Sequence, residues 1–433
     1  MSGHDSAGVA PRAAGYRKVL RHLAFNAPFA IAASSLQGAV NYFIVVYLAY
    51  GHSLADTGTY RALFSYYSLL GLASMVETNK IFIRSIVAND HEATTALFAN
   101  RIMFSVAAFC VILIIWIAGF LAGAHWLPDE LAPIAALAIV LYPMDSYQSL
   151  LQARGRFNLL FVTEVVKYGA ALAVFLIALR LGSSVATAVL VQLATMALCH
   201  AIYFAFAVRT FVDFALVRHR FGRMIRLSAA RQARTYSFSS LFPASLEHVD
   251  KILVGLVFGL EFLGVYTLAY STGRFVYNTL KPAMYIYYRR FVDRMPPWRL
   301  LKLVSLFFTL VGAGMAAAFL VALARVPEME RFRSGAAATV ILFLSYGIGI
   351  LHAVYGQAFA LNKNSVAGHA LRASVLATAA SLVLLGTALV SPPPIALVLL
   401  ALQYPLRDGL SVWLMARYRR RHTAPHQGTA KSG

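Results

Sequence analysis

The chain has 433 residues, 60% of them hydrophobic and 13% charged, with a mean hydropathy of +0.67 and a formal net charge of +21. These values exclude an ordinary soluble globule and indicate an all-α polytopic membrane protein. The basic excess lies at the ends of apolar runs, which assigns it to membrane orientation and excludes nucleic acid as a partner.

Residues 1–21 are polar and basic and lead into the first apolar run without a cleavable signal pattern. At ~20 apolar residues per span, the sequence predicts about twelve spans. In the first half they lie near 23–50, 59–83, 102–122, 131–151, 159–179 and 185–208. In the second half they lie near 236–260, 262–285, 303–324, 336–361, 373–390 and 395–415. The break at 209–235 is basic, with Phe211, Phe214, Phe221 and Met224 interleaved, and reads as a linker helix on the cytoplasmic leaflet. The chain thus divides into an N-terminal six-helix bundle (1–208), a linker (209–235), a C-terminal six-helix bundle (236–416) and a basic tail (417–433). One set of loops holds Arg12, Arg17, Arg84, Arg154, Arg156, the linker arginines, Lys363 and Arg417. The opposite loops are short and carry Asp56, Asp129, Glu130, Glu261, Glu328 and Glu330, with Arg331 and Arg333. With an even number of spans, this bias places both termini in the cytoplasm. Cys110 and Cys199 lie in apolar runs, and no zinc spacing, phosphate loop or nucleotide fingerprint stands out, so no disulfide, metal or cofactor is expected.

The seventh and eighth spans form a hairpin around the turn Gly259-Leu260-Glu261-Phe262-Leu263-Gly264. It carries Glu247, His248, Asp250, Lys251, Arg274 and Lys281 in otherwise apolar helices. Each ionised group costs at least ~2.5–3.5 kcal/mol in hydrocarbon, so these side chains point into the protein. The same turn recurs in the first half: Gly58-Thr59-Tyr60 followed by Phe64-Ser65 corresponds to Gly264-Val265-Tyr266 followed by Tyr270-Ser271. Such a repeat suits two bundles related by a pseudo-two-fold axis along the membrane normal.

The run Asp250-Lys251 to Gly255, then Gly259, Leu263-Gly264-Val265-Tyr266 and Leu268-Ala269-Tyr270, resembles the seventh and eighth helices of polysaccharide (O-antigen-type) flippases. These belong to the multidrug/oligosaccharidyl-lipid/polysaccharide exporter superfamily. Leu151-Gln152-Ala153-Arg154-Gly155-Arg156-Phe157 is similar to that family's loop between helices four and five. Gly58-Thr59-Tyr60 with Ser68-Leu69-Leu70-Gly71-Leu72 is similar to its second helix. The resemblance implies two six-helix bundles around a central cavity that opens alternately to each side. It also implies movement of an undecaprenyl-diphosphate-linked oligosaccharide to the periplasmic leaflet of a bacterial inner membrane, for O-antigen, capsule or exopolysaccharide synthesis. A polysaccharide polymerase and other export machinery are the partners it suggests, together with membrane lipids. Two other readings stand beside it: a cation-coupled multidrug exporter of the same superfamily, and a membrane glycan polymerase or glycosyltransferase.

A diphosphate favours Arg and Lys. Arg274 is the first candidate contact and Lys281 the second, two turns on, with Tyr277 and Asn278 between them for sugar hydroxyls. Lys251 and Arg407 complete the cavity set. The structural alternative is that Arg274 is neutralised by Glu247 or Asp250, and that Lys281 snorkels. Glu247 and Lys251, four apart, and Glu164 and Lys167, three apart, are spaced to pair along one helix face. Arg407 and Asp408 are neighbours that project differently and are expected to pair across helices. Asp145, near Pro143, reads as a lone acid that either binds backbone freed by the proline or carries a coupling ion. Asp145, Glu164, Glu247, Asp250 and Asp408 are therefore the candidates for coupling to a proton or sodium. His200, His352 and His369 read as packing residues, Tyr285 to Arg290 as an interfacial belt, and Glu77, Lys80 and Arg84 as a solvated helix end or a gate.

Overall fold

A computed structural model describes residues 10–75, 78–122, 128–207, 212–280, 295–361 and 367–423, which contain helices and no strand. The first half comprises α1 (Ala10–Gly51), α2 (Leu54–Ala73), α3 (Asn79–Val87), α4 (His91–Leu121), α5 (Leu131–Met144), α6 (Ser146–Ala153), α7 (Phe157–Arg180) and α8 (Val185–Ala207). A short helix, α9 (Phe214–Met224), connects it to the second half. There follow α10 (Ser228–Phe258), α11 (Leu260–Leu280), α12 (Trp298–Arg325), a 3-10 segment (Pro327–Gly335), α13 (Ala336–Leu344), α14 (Tyr346–Leu361), α15 (Ala367–Leu389) and α16 (Pro393–Thr423).

Each expected span coincides with a helix or a broken helix. The second breaks between α2 and α3 at Met75, which has a positive φ of 57°. The fourth breaks at Asp145, beside Pro143. The tenth bends by 47° between α13 and α14. The stretch expected as one linker helix holds α9 and the first turns of α10, which runs unbroken from Ser228 through the position where the seventh span was expected to begin. The hairpin turn is also shorter than expected. Gly259, with φ 86° and ψ 170°, separates α10 from α11 alone, in a region that essentially only glycine occupies.

Among the described residues, eight helices are long and apolar enough to cross a membrane, and the bent pair makes a ninth. The three expected spans that fall short are α2, α10 and α11. Each carries charge: Asp56 and Arg61 on α2, Glu247, Asp250 and Lys251 on α10, Glu261 and Arg274 on α11. These three pack on one another at the centre of the molecule, where polar groups avoid lipid. By contrast, α4 and α12 are peripheral and expose Ile114, Phe120, Leu306, Phe307 and Leu310, the apolar face that a hydrocarbon solvent requires.

The repeated turn explains how the halves meet. Leu54 opens α2 and Leu260 opens α11; Gly58 and Gly264 follow four residues later. A Cβ on Gly58 would fall on the carbonyl of Leu260, and a Cβ on Gly264 would fall on the carbonyl of Leu54. The contact is reciprocal, as a pseudo-two-fold axis between the helix starts requires, and only glycine allows backbones this close. The tyrosines of the repeat match as well. Tyr60 donates to Asn41 Oδ1 on α1 (3.1 Å), and Tyr266 donates to Asp250 Oδ2 on α10 (2.7 Å). At the same end, Tyr50 donates to the Glu328 carbonyl (2.6 Å), so the 3-10 segment also holds α1. We expect Gly58→Ala or Gly264→Ala to lower stability by about 1–3 kcal/mol through overpacking. Thermal midpoints of the purified variants in detergent check this; midpoints unchanged for both would mean that the helices do not approach so closely.

Candidate functional site

The hairpin α10–α11 and the last helix bring most of the expected charges together. Asp250 and Lys251 are fully buried. Lys251 Nζ donates to Asp250 Oδ1 (3.0 Å), to the Glu247 carbonyl (2.6 Å) and to the Tyr404 hydroxyl (2.9 Å). Asp250 Oδ2 accepts from Tyr266 (2.7 Å), Tyr404 (2.8 Å) and Gln403 Nε2 (2.9 Å). Two buried charges are tolerable only with this degree of hydrogen bonding. Glu247 pairs differently from the expectation. Its carboxylate accepts from Arg407 Nη2 (2.7 Å) and leaves Lys251 to Asp250. Arg407 and Asp408 were expected to look elsewhere, yet Arg407 Nε and Nη2 donate to Asp408 Oδ1 (3.1 and 3.0 Å). A long guanidinium can fold back on its neighbour while also reaching α10. His352 is more than a packing residue, since its Nδ1 lies 3.2 Å from the same Asp408 oxygen.

Arg274 pairs with none of these acids. Its guanidinium lies over the rings of Tyr277 (4.4 Å), Tyr404 (4.7 Å) and Tyr270 (5.9 Å), and its buried Nη1 has no hydrogen-bond partner among the described residues. Tyr270 is the hub of a larger arrangement. Lys251 Nζ lies 4.2 Å from its ring centre, and Arg61, from α2 in the other half, lies 5.4 Å away. The buried Nε of Arg61 also lacks a partner. Around this ring and the adjoining Arg407 there are four cations, Arg61, Lys251, Arg274 and Arg407, against three carboxylates, Glu247, Asp250 and Asp408. Because Arg407 takes two of the carboxylates, Arg61 and Arg274 are left without one among the described residues. Ring faces attract cations at ~0.5–2 kcal/mol but do not use their N–H donors. The seam between the halves thus holds guanidinium donors that are unmatched among the described residues.

Sequence reasoning missed Arg61, although it follows Tyr60 of the repeat directly and lies within the expected second span. Tyr277 is buried against Arg274, whereas Asn278 is exposed. Lys281, Tyr285 to Arg290, Glu77 and Lys363 lie outside the described residues, as does the Lys80 side chain.

A second buried cluster lies wholly within the first half. Asp145 is not a lone acid: Arg101 Nη2 lies 2.7 Å from its Oδ1, and Arg101 Nη1 donates to Asn79 Oδ1 (2.8 Å) and Ser146 Oγ (3.1 Å). Arg101 escaped notice because the third span was drawn from residue 102, leaving it in a loop. Glu164 and Lys167 form the pair that their spacing suggested (2.7 Å), and Tyr147 donates to Glu164 (2.7 Å). His200 is buried edge-on against Tyr147 (5.5 Å). His369 stacks on Tyr418 (4.9 Å). Among the described residues no group of three His, Cys, Asp or Glu side chains could hold a metal ion.

A family of polysaccharide biosynthesis proteins matches residues 53–285, more than half of the chain, including both copies of the repeat. No curated protein matches the chain by sequence. Among solved structures, the chain is similar to a multidrug resistance MATE family transporter of the MOP superfamily in an outward-facing conformation (16% identity, TM-score 0.53, covering 93% of this chain and 97% of that one). It is likewise similar to a MATE transporter from Vibrio cholerae (15% identity, TM-score 0.52, 94% and 98%). A third is a MOP superfamily transporter from Pyrococcus furiosus, described as having a binding pocket of reverse polarity that suggests a different function (14% identity, TM-score 0.52, 93% and 95%). These likenesses show the two-bundle fold of MOP superfamily transporters. The family match establishes that the chain belongs to the polysaccharide biosynthesis protein family, and the likenesses that it has the fold of those transporters.

Proposed function

We propose that the protein flips a lipid-diphosphate-linked oligosaccharide across the membrane by alternating access. The observation that carries this reading is the pair of arginines without a carboxylate among the described residues, Arg61 and Arg274, one from each half, around Tyr270 on the seam. A diphosphate supplies the oxygens their free donors need, in charge-assisted hydrogen bonds. Tyr277 and the exposed Asn278 offer partners for sugar hydroxyls. Lys251 and Arg407 act beside them by holding Tyr404 and the acids in place.

Bringing two half-sites together and apart is what a rocking pair of bundles does. Coupling to a proton or sodium would work through the carboxylates. Among the five candidate acids, Glu247 is the most accessible, with 28% of its side chain exposed, whereas Asp250 and Asp408 are sealed and Asp145 and Glu164 are committed to Arg101 and Lys167. The drug-exporter reading is weaker, because a cationic drug needs an acid that is not already paired. We place the protein in a bacterial inner membrane with both termini in the cytoplasm, from its loop charges.

The test is deletion of the gene, followed by mass spectrometry of lipid-linked oligosaccharides with their leaflet sidedness. A complete oligosaccharide repeat accumulating on the cytoplasmic face is the expected result. An unchanged pool with new sensitivity to cationic dyes would move the assignment to drug export, and a truncated glycan would indicate an enzyme.

A further inference from the structure

We infer that the connection between the halves, α9 and the turn after it, is a binding site for anionic phospholipid headgroups. The site is distinct from the seam and does not depend on what the seam carries. Residues 213–234 contain six arginines, no lysine and one acid, Asp213. Asp213 is used internally, capping α9 by accepting from the backbone of Ala215 (2.9 Å) and Leu216 (3.1 Å).

The element is fixed in place. The Asp213 backbone donates to Thr95 Oγ1 on α4 (3.2 Å), and Met224 is buried against Ala96 and Ala99. Arg234 is spent on this anchoring, donating to the Ile225 carbonyl (2.7 Å) and to Asn100 Oδ1 (3.0 Å). The face left over is cationic. Arg218, Arg220, Arg223 and Arg226 are exposed, and Arg218, Arg220 and Arg226 have no ion-pair partner among the described residues. Arg223 has one loose, exposed contact with Glu92 (3.5 Å), of a kind that contributes little.

Gly222, Arg223, Arg226 and Leu227 line an open depression of about 580 Å³ beside this face. Two arginines there accompany a glycine at which even a Cβ would meet open space, so the backbone leaves room for a phosphate. Exclusive use of Arg matters, because its planar fork grips phosphate oxygens two at a time, whereas lysine serves as a point charge. Phe214, 45% exposed, adds an apolar contact at the same level. The positive-inside rule puts this face at the cytoplasmic leaflet, where anionic headgroups lie. An ordered basic element with unpaired forks at that depth fits a phospholipid phosphate.

The test uses the full-length protein in detergent, with native mass spectrometry of bound lipid after addition of phosphatidylglycerol or phosphatidylcholine. Wild type is expected to prefer phosphatidylglycerol at least about ten-fold, as three or more arginines near a surface allow. The triple substitution Arg220→Gln, Arg223→Gln and Arg226→Gln should abolish that preference while the thermal midpoint stays unchanged. The triple Lys variant should lose the preference in high salt where wild type keeps it. Equal retention of phosphatidylglycerol by the Gln variant would overturn the inference. So would displacement of phosphatidylglycerol from these arginines by equimolar polyprenyl diphosphate, which would assign them to the cargo.

Discussion

Lys251→Ala should fail to accumulate in the membrane. Among the described residues the lysine is the one cation bound to Asp250, and both side chains are sealed from solvent. Removing it leaves a buried carboxylate facing three neutral donors, Tyr266, Tyr404 and Gln403. Breaking a buried pair from one side costs about 3–5 kcal/mol, a large share of the margin of any fold. The double variant Asp250→Asn, Lys251→Met removes both charges and should recover most of the lost protein. Membrane-fraction immunoblots and detergent thermal midpoints read both results. Normal accumulation of Lys251→Ala would show that Asp250 finds another cation or takes up a proton.

The second large effect falls on transport and spares the fold. Arg61→Gln or Arg274→Gln should lower complementation of a deletion strain by about 30-fold or more, since losing one charge from a desolvated pair costs at least about 2 kcal/mol. Among the described residues neither arginine holds a carboxylate, so neither substitution strands one of these acids, and both proteins should keep their thermal midpoints. Arg407→Gln is the contrast. It takes from both Glu247 and Asp408 a guanidinium that they share and should destabilise the protein in its own right. If Arg274→Gln proved as destabilising as Arg407→Gln, its role would be structural.

The difference between these arginines marks how far the sequence could be read. The span layout was legible because each span is a local run of apolar residues with charge at its ends. The seam was half legible: Gly58 and Gly264 stood out as a repeat, while their reciprocal backbone contact with Leu260 and Leu54 became visible only in three dimensions. Pairing was the least legible layer. Spacing of four suggested Glu247 with Lys251, but Asp250 is nearer to Lys251, and Arg407, 160 residues away, reaches Glu247. Asp145 looked alone because Arg101 lies on another helix. A pair along one helix face is written in the sequence, whereas a pair across helices depends on how those helices cross. Arg61 was overlooked for a related reason. Its significance comes from Tyr270 in the other half, which no local pattern connects to it.

The most direct measurement is transport by the purified protein in vesicles loaded on one leaflet with a polyprenyl-diphosphate-linked oligosaccharide, wild type against the Arg61→Gln, Arg274→Gln double variant. The account predicts that the wild type moves the lipid to the opposite leaflet and that the double variant, equally folded and equally incorporated, does not. Equal movement by both proteins, or a wild type that moves an organic cation and leaves the lipid in place, would contradict it.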